Sequence, residues 1–456
     1  MINFYNDDTI CAISTAPMTS AIGVIRVSGK DCIKIVEKCF NRPLENKAGN
    51  TLTHGYIVDP ETGKTVDEVV VALFRAPASY TGEDVAEISC HGSVYVLNKV
   101  IRVLISCGAR QAEKGEFTKR AFINGKLDTV KAESVIDLIE SQTEREASVA
   151  IEHLKGGLSD EINGVRDSLL AVSAQIMAYI DYPDDEIEDL EPERLSAVLT
   201  EQHRKVKKLL LSFEKGKLIK NGISVCIAGK PNAGKSSLMN RLAGYDRSIV
   251  TDIEGTTRDI VEETVAINGL KVRLSDTAGI RETDDKVEKI GVERAYGKLA
   301  SADMILAVFD GSRDLSSEDE ELISAVGNMR AKKIAVINKT DLEEKIDSDK
   351  ITGFDTIVRI SSLDNCNLDG LADEMERLFS SELEINDSEI ITNERQFQCL
   401  SKAEAALAQC VGDVQLPPDV LEVCIEDAIY ALAVVVGKSV GEDLLQTIFS
   451  RFCVGK

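Results

Sequence analysis

At 456 residues the chain is too long for one hydrophobic core, and about three domains are expected. A net charge of −24 argues against a broad, non-specific grip on nucleic acid, so any RNA must meet a local basic patch or be held by a partner. Eleven cysteines without a Cys-x-x-Cys pair, and only four histidines, argue against a disulfide framework and a zinc site.

Residues 1–118 alternate short apolar runs with turn signals. Gly23–Val27, Val66–Phe74 and Asp84–Ser89 read as strands, Asp31–Phe40 and Ser93–Cys107 as helices, which together make a small α+β domain. From 119 to 216 the pattern turns helical, with apolar spacings of three and four in Ala132–Ile139, Ala147–Leu170 and Leu195–Phe213. The acidic stretch Asp181–Asp189 carries Pro183 and reads as a charged loop rather than a metal site. Two modest basic stretches, Lys114–Lys131 and Arg204–Lys220, fit either RNA contact or solvated helical faces. A nucleotide-binding module occupies 217–380, and 381–456 is helical again. The two helical stretches look incomplete alone, so one discontinuous helical domain with the module inserted is expected. The longest apolar run, Ala428–Val436, is far short of a membrane span. The N-terminus has neither a basic n-region nor an Arg-rich presequence, so a soluble cytoplasmic protein is expected, with no membrane or DNA partner.

Within 217–380, four stretches fall in the order of a guanine-nucleotide site. Gly229-Lys-Pro-Asn-Ala-Gly-Lys-Ser236 satisfies the P-loop pattern between the apolar strand Ile223–Ala228 and the helix Ser237–Ala243. That context lets backbone N–H groups and a helix N-terminus converge on phosphate. Gly255-Thr-Thr-Arg-Asp259 follows, then Asp276-Thr-Ala-Gly279 after the strand Lys271–Ser275, and Asn338-Lys-Thr-Asp341 after Lys333–Ile337. A lone P-loop would equally suit an ATPase; the ordered set specifies a GTPase.

The candidate nucleotide-binding residues are Asn232, Ala233, Gly234, Lys235, Ser236 and Ser237, then Thr251, Asp252, Ile253, Glu254, Gly255, Thr256 and Thr257, then Asp276, Thr277, Ala278 and Gly279, and finally Asn338, Lys339, Thr340 and Asp341. Lys235 is expected to reach the β- and γ-phosphates, and Ser236 to offer its hydroxyl to Mg²⁺. Thr257 is the candidate γ-phosphate sensor, and Asp276 acts through a metal-bound water. The Asp341 carboxylate suits guanine N1–H and the 2-amino group, which adenine cannot supply. Ser361-Ser-Leu363 is placed to offer a backbone N–H to O6.

Many GTPases carry a Gln after Asp-x-x-Gly to orient the attacking water. Here that residue is Ile280, which cannot hold a water. Glu288 is a replacement on spacing, and equally a residue of a solvated charged helix. Asn232 sits where its amide oxygen can bind a cation near the phosphates, supplying charge as an arginine finger does elsewhere.

Beyond these motifs, the chain resembles the bacterial tRNA-modification GTPase family MnmE (TrmE) over essentially its full length. The resemblance rests on Gly23–Gly29, Ser79–Asp84, Gly115–Phe122, Asn124–Asp128, Ile180–Pro183 and the terminal Phe452-Cys-Val-Gly-Lys456. The chain departs from the family at Val454, Lys114 and Ser362, where Ile, Pro and Ala are usual.

The resemblance implies a GTPase that works with an FAD-dependent partner, MnmG (GidA), as a heterotetramer. Together they add a carboxymethylaminomethyl or aminomethyl group at C5 of the wobble uridine of certain tRNAs. It implies an N-terminal homodimer holding 5-formyl- or 5,10-methylene-tetrahydrofolate at Arg26, Glu87, Lys126 and Lys456. It further implies Mg²⁺ on Ser236 and Thr257, K⁺ on Asn232, Thr251, Ile253 and Thr256, and catalytic roles for Glu288 and Cys453. The expected fold class is thus multidomain α+β and α/β: an N-terminal α+β folate-binding-like domain (1–118), an all-helical domain in two parts (119–216 and 381–456) and an inserted Ras-like P-loop GTPase domain (217–380). The alternative is a ribosome-assembly GTPase of the Era or Der type, although the N-terminal stretches and the Phe-Cys-x-Gly-Lys end are foreign to those families.

Overall fold

The computed structural model describes residues 8–181, 192–245, 262–276, 297, 299–383, 386–412 and 416–456. The chain divides into two compact units, one formed by 1–136, 154–170 and 426–456 and the other by 137–153 and 171–425.

The first unit is built on a six-stranded sheet of β1 (Ile10–Ile13), β2 (Ile22–Ser28), β3 (Thr51–Val58), β4 (Thr65–Phe74), β5 (Val85–His91) and the short β6 (Arg110–Gln111). Its order is β3-β4-β5-β2-β1-β6, antiparallel except for the parallel β1–β6 pair. Alternation decides the faces: Ile25 and Val27 of β2 and Ile88 of β5 are fully buried among residues of the helices Cys32–Cys39 and Val94–Ser106. The intervening Arg26 therefore projects from the other face. The register sets it directly opposite Glu87, fixing one cross-strand pair.

The sequence reading finds β2, β4, β5 and both helices within a residue or two at each end, and misses β1, β3 and β6. The helical run expected over 147–170 is two helices, Glu144–Lys155 and Gly157–Asp181. Between them Gly156 takes φ +112°, which an L side chain rarely adopts and which breaks the ladder. The acidic stretch after Asp181 lies outside the described residues.

The second unit holds β7 (Ile223–Gly229), β8 (Glu262–Ile267), β9 (Leu270–Asp276), β10 (Met304–Asp310), β11 (Lys332–Asn338) and β12 (Thr356–Arg359). The sheet order is β12-β11-β10-β7-β9-β8, parallel apart from the β8–β9 hairpin. All seven residues of β10 are buried, as expected of a parallel strand covered on both faces. The helices Lys235–Ala243 and Leu368–Leu383 pack on one face, and Ser317–Gly327 on the other. Among the described residues, no helix is long and apolar enough to cross a membrane.

Candidate functional site

In the second unit, β7, β10 and β11 end side by side, so the loops after them share one sheet edge, where open α/β sheets bind ligands. The loop after β7 leads directly into the helix Lys235–Ala243. Its tightness is written in its residues. Asn232 (φ +64°) and Gly234 (φ +100°) are left-handed, and a Cβ on Gly234 would lie 2.0 Å from Asn338 Nδ2. Lys235 is buried, and its Nζ donates to the carbonyls of Gly229 (2.7 Å) and Lys230 (2.8 Å), so the ammonium lies over the loop. Ser236 and Ser237 are exposed at the first helical turn, and Asn232 is exposed on the loop.

Asn338, at the end of β11, joins two parts of the site. Its Nδ2 donates to the Ala233 carbonyl (2.9 Å), and its Oδ1 accepts from the Ser362 N–H (3.0 Å). The Thr340 N–H donates to the Ile360 carbonyl (3.2 Å), closing the turn that presents Asp341. The Asp341 carboxylate accepts from the Ser361 hydroxyl (2.6 Å), which leaves one edge free to read a base. Lys339 (φ +69°) extends its ammonium to Asp310 (2.6 Å).

Asp310 is a residue the sequence reading missed. Burial alone would raise its pKa, but hydrogen bonds from Lys339, Ser312 and Arg313 outweigh that and hold it well below the usual carboxylate range. A signal existed: a carboxylate ends an otherwise wholly apolar strand.

The structure thus brings together the P-loop and the Asn338–Asp341 turn. Asp276 ends β9 with its backbone paired beside Ile227. Thr251 to Thr257, Thr277 to Gly279, Ile280 and Glu288 lie outside the described residues. Among the described residues, no group of three or more His, Cys, Asp or Glu could hold a metal ion.

A second constellation forms in the first unit. Arg26 donates through Nε and Nη2 to Glu87 Oε1 (3.0 and 2.8 Å), leaving Oε2 outside this pair. The guanidinium also lies 4.9 Å from the Tyr80 ring centroid and 5.7 Å from that of Phe117.

The C-terminal tail joins this site. Phe449 and Phe452 are buried with Ala132, Leu445 and Ile448. Beyond them Val454 bridges Lys114, the Gly115 N–H donates to the Cys453 carbonyl (3.4 Å), and the Ser14 hydroxyl donates to the Gly455 carbonyl (3.1 Å). Gly455 takes φ +101°, and a Cβ there would meet the Ile13 carbonyl at 2.1 Å, so the tail can seat only with glycine. Lys456 then lies within the field of Arg26, Cys453 and Glu87. Burial first, and Arg26 second, lower its pKa. Cys453 is exposed, whereas burial pushes Cys11 and Cys90 up to about 12 and leaves them inert. The fourth folate candidate, Lys126, is tied instead to the Pro77 carbonyl (3.0 Å), on the side of the loop where Asn124 donates to Thr81 (2.7 Å).

The donor set fits a folate: a carboxylate with an open oxygen for pterin N–H groups, an aromatic ring, and cations that favour an anionic ligand.

Residues 9–126 match the family model described as GTP-binding protein TrmE N-terminus, and residues 130–453 match that of the MnmE helical domain. The chain is 42% identical over 457 residues to the tRNA modification GTPase MnmE of Ligilactobacillus salivarius (strain UCC118), covering 98% of each. To the protein of that name from Alkaliphilus oremlandii (strain OhILAs) it is 40% identical over 462 residues, covering 99% of this chain and all of the relative. Among solved structures, the G domain of the T. maritima FeoB iron transporter covers 34% of this chain at 27% identity, but with a TM-score of 0.26 it carries no argument. Two family models in chain order, together with full-length relatives, place the chain in the MnmE (TrmE) family of tRNA-modification GTPases.

Proposed function

We propose that this GTPase, acting in the cytoplasm as a homodimer with an FAD-dependent MnmG (GidA) partner, installs a carboxymethylaminomethyl or aminomethyl group at C5 of the wobble uridine of certain tRNAs. The observation that carries the reading is the seating of the C-terminal tail against Ser14 and Gly115, which sets Lys456 in the field of the Arg26–Glu87 pair, three residues after the exposed Cys453. A GTPase switch alone has no need of such a site. The division into 1–118, 119–216 with 381–456, and an inserted 217–380 belongs to the same proposal.

In this reading Glu87 accepts from the pterin edge of a tetrahydrofolate, Arg26 holds the Glu87 carboxylate in place, and Lys126 and Lys456 add positive charge for the anionic ligand. The bound folate supplies a one-carbon unit. Burial first, and the Arg26 guanidinium second, lower the Lys456 pKa, which makes its ammonium the readier proton donor. Cys453, free of burial, is the nucleophile available beside it.

At the nucleotide, Lys235 and the loop N–H groups hold phosphate while Asp341, with Lys339 and Asn338, selects guanine. Ser236 and Thr257 would hold Mg²⁺. Asn232, Thr251, Ile253 and Thr256 would hold K⁺, which supplies the positive charge an arginine finger brings to other GTPases. Glu288 then orients water in place of the Gln that Ile280 replaces. The net charge of −24 fits a division of labour in which the partner holds much of the tRNA.

Two titrations on the full-length chain test this. GTP hydrolysis is expected to run at least about tenfold faster in KCl than in NaCl. Binding of 5-formyl-tetrahydrofolate is expected to weaken by about tenfold or more in Lys456→Ala. Equal rates in the two salts would remove the potassium role, and undiminished folate binding would remove the tail from the site.

A further inference from the structure

Arg241 lies on the exposed side of the helix Lys235–Ala243, six residues beyond the P-loop lysine. Its guanidinium forks onto two consecutive backbone carbonyls of the turn after β12: Nε donates to Ser362 (3.0 Å) and Nη2 to Leu363 (2.9 Å). A planar trans peptide holds its C=O and N–H antiparallel. Fixing the Leu363 carbonyl therefore aims the Asp364 N–H the opposite way, where it donates to Ser361 Oγ (3.2 Å). That hydroxyl donates in turn to Asp341 (2.6 Å). By the same geometry, fixing the Ser362 carbonyl turns the Leu363 N–H away from Arg241.

The turn itself is short, closed by the Ser361–Cys366 bridge and by left-handed Asn365 and Asn367 (φ +60° and +57°). Its internal shape is set by its own residues. Its attachment to the phosphate helix is set by Arg241, while Asn338 holds the Ser362 N–H. The Ser362 residue is thus gripped on both its N–H and its C=O.

We infer that Arg241 is a specificity-determining positioning residue, tying the helix that starts at the phosphate loop to the turn 361–366 and so holding Ser361 and the Asp341 carboxylate in guanine-reading geometry. The inference rests on the nucleotide reading given above. It joins phosphate binding to base choice through one side chain that touches neither. Arginine suits the task because its rigid fork meets two carbonyls at once, which a lysine ammonium on a flexible stem does not.

Equilibrium binding of GTP and of inosine triphosphate to the full-length wild type, Arg241→Gln and Arg241→Lys, with Mg²⁺, tests this. Inosine triphosphate keeps O6 and N1–H but lacks the 2-amino group that pairs with Asp341. In Arg241→Gln the Kd for GTP is expected to rise about tenfold and that for inosine triphosphate about threefold, so selectivity falls about threefold, with Arg241→Lys intermediate. Unchanged affinities, or equal losses for both nucleotides, would overturn the inference, the latter marking a general loosening of the fold. A wild type without preference for GTP would overturn the nucleotide reading itself, and this inference with it.

Discussion

The two candidate sites are assembled in opposite ways. The nucleotide site gathers short stretches that are contiguous in sequence, each placed by the end of a parallel strand. The folate-fitting site joins Arg26 and Glu87, set opposite each other by strand register, to Lys456, the last residue of the chain. The first depends on loop chemistry close in sequence, and the second on the long-range seating of a tail. Local loops carry their own conformational instructions, whereas a seated tail depends on distant contacts and is lost when any of them fails.

That contrast can be broken by mutation. The largest effect is expected for Lys235→Ala, which removes the ammonium from the phosphate loop and should lower the hydrolysis rate by about 10³-fold, measured as phosphate release, while leaving folate affinity unchanged. Next is Gly455→Ala. The added Cβ collides with the Ile13 carbonyl in a backbone region hostile to L residues. About 1–3 kcal/mol of strain should weaken folate binding by about 5- to 150-fold in a titration, with GTP hydrolysis changed by no more than about twofold. If Gly455→Ala damaged both activities equally, the sites would not be separable in this way.

Asp310→Asn should have a smaller effect. It removes the charge that anchors the Lys339 ammonium, and GTP affinity should fall by about fivefold with the maximal rate preserved.

The smallest effect is a pH slope. His153 is buried, and burial lowers its pKa below the ordinary 6.5 despite the nearby Asp137 and Asp387 carboxylates. Its folded pKa is depressed, so as pH falls through 6.5 the unfolded chain gains a proton that the folded one refuses. Stability is therefore lost on the acid side. Chemical denaturation from pH 7.5 to 5.5 should show wild type losing stability faster than His153→Gln, by at most about 1.4 kcal/mol per pH unit. Parallel slopes would remove His153 as the cause.

The unequal legibility of the two sites follows from the same physics. The P-loop and the Asn338–Asp341 turn were readable because strand, loop and helix N-terminus follow one another directly and the chemistry needs those residue types at that spacing. Arg26 and Glu87 gave no such signal. An arginine and a glutamate on half-buried strands are ordinary cross-strand partners, and only resemblance to a family singled them out. Asp310 and Arg241 were missed for a related reason, since each acts on a neighbour through a contact that sequence spacing does not encode. The break at Gly156 was legible after all: two consecutive glycines inside a helical pattern are a stop signal that the apolar periodicity concealed. β1 and β3 were passed over because a four-residue apolar run and a strand carrying Gly55 offer weak alternation.

The central claim is that both sites serve one modification of tRNA. Mass spectrometry of tRNA nucleosides from the host tests it most directly, with this chain deleted and then restored as wild type, Lys235→Ala or Cys453→Ser. The account predicts that C5-aminomethyl-type wobble uridines vanish on deletion and return with the wild type alone. An unchanged nucleoside profile on deletion would contradict it.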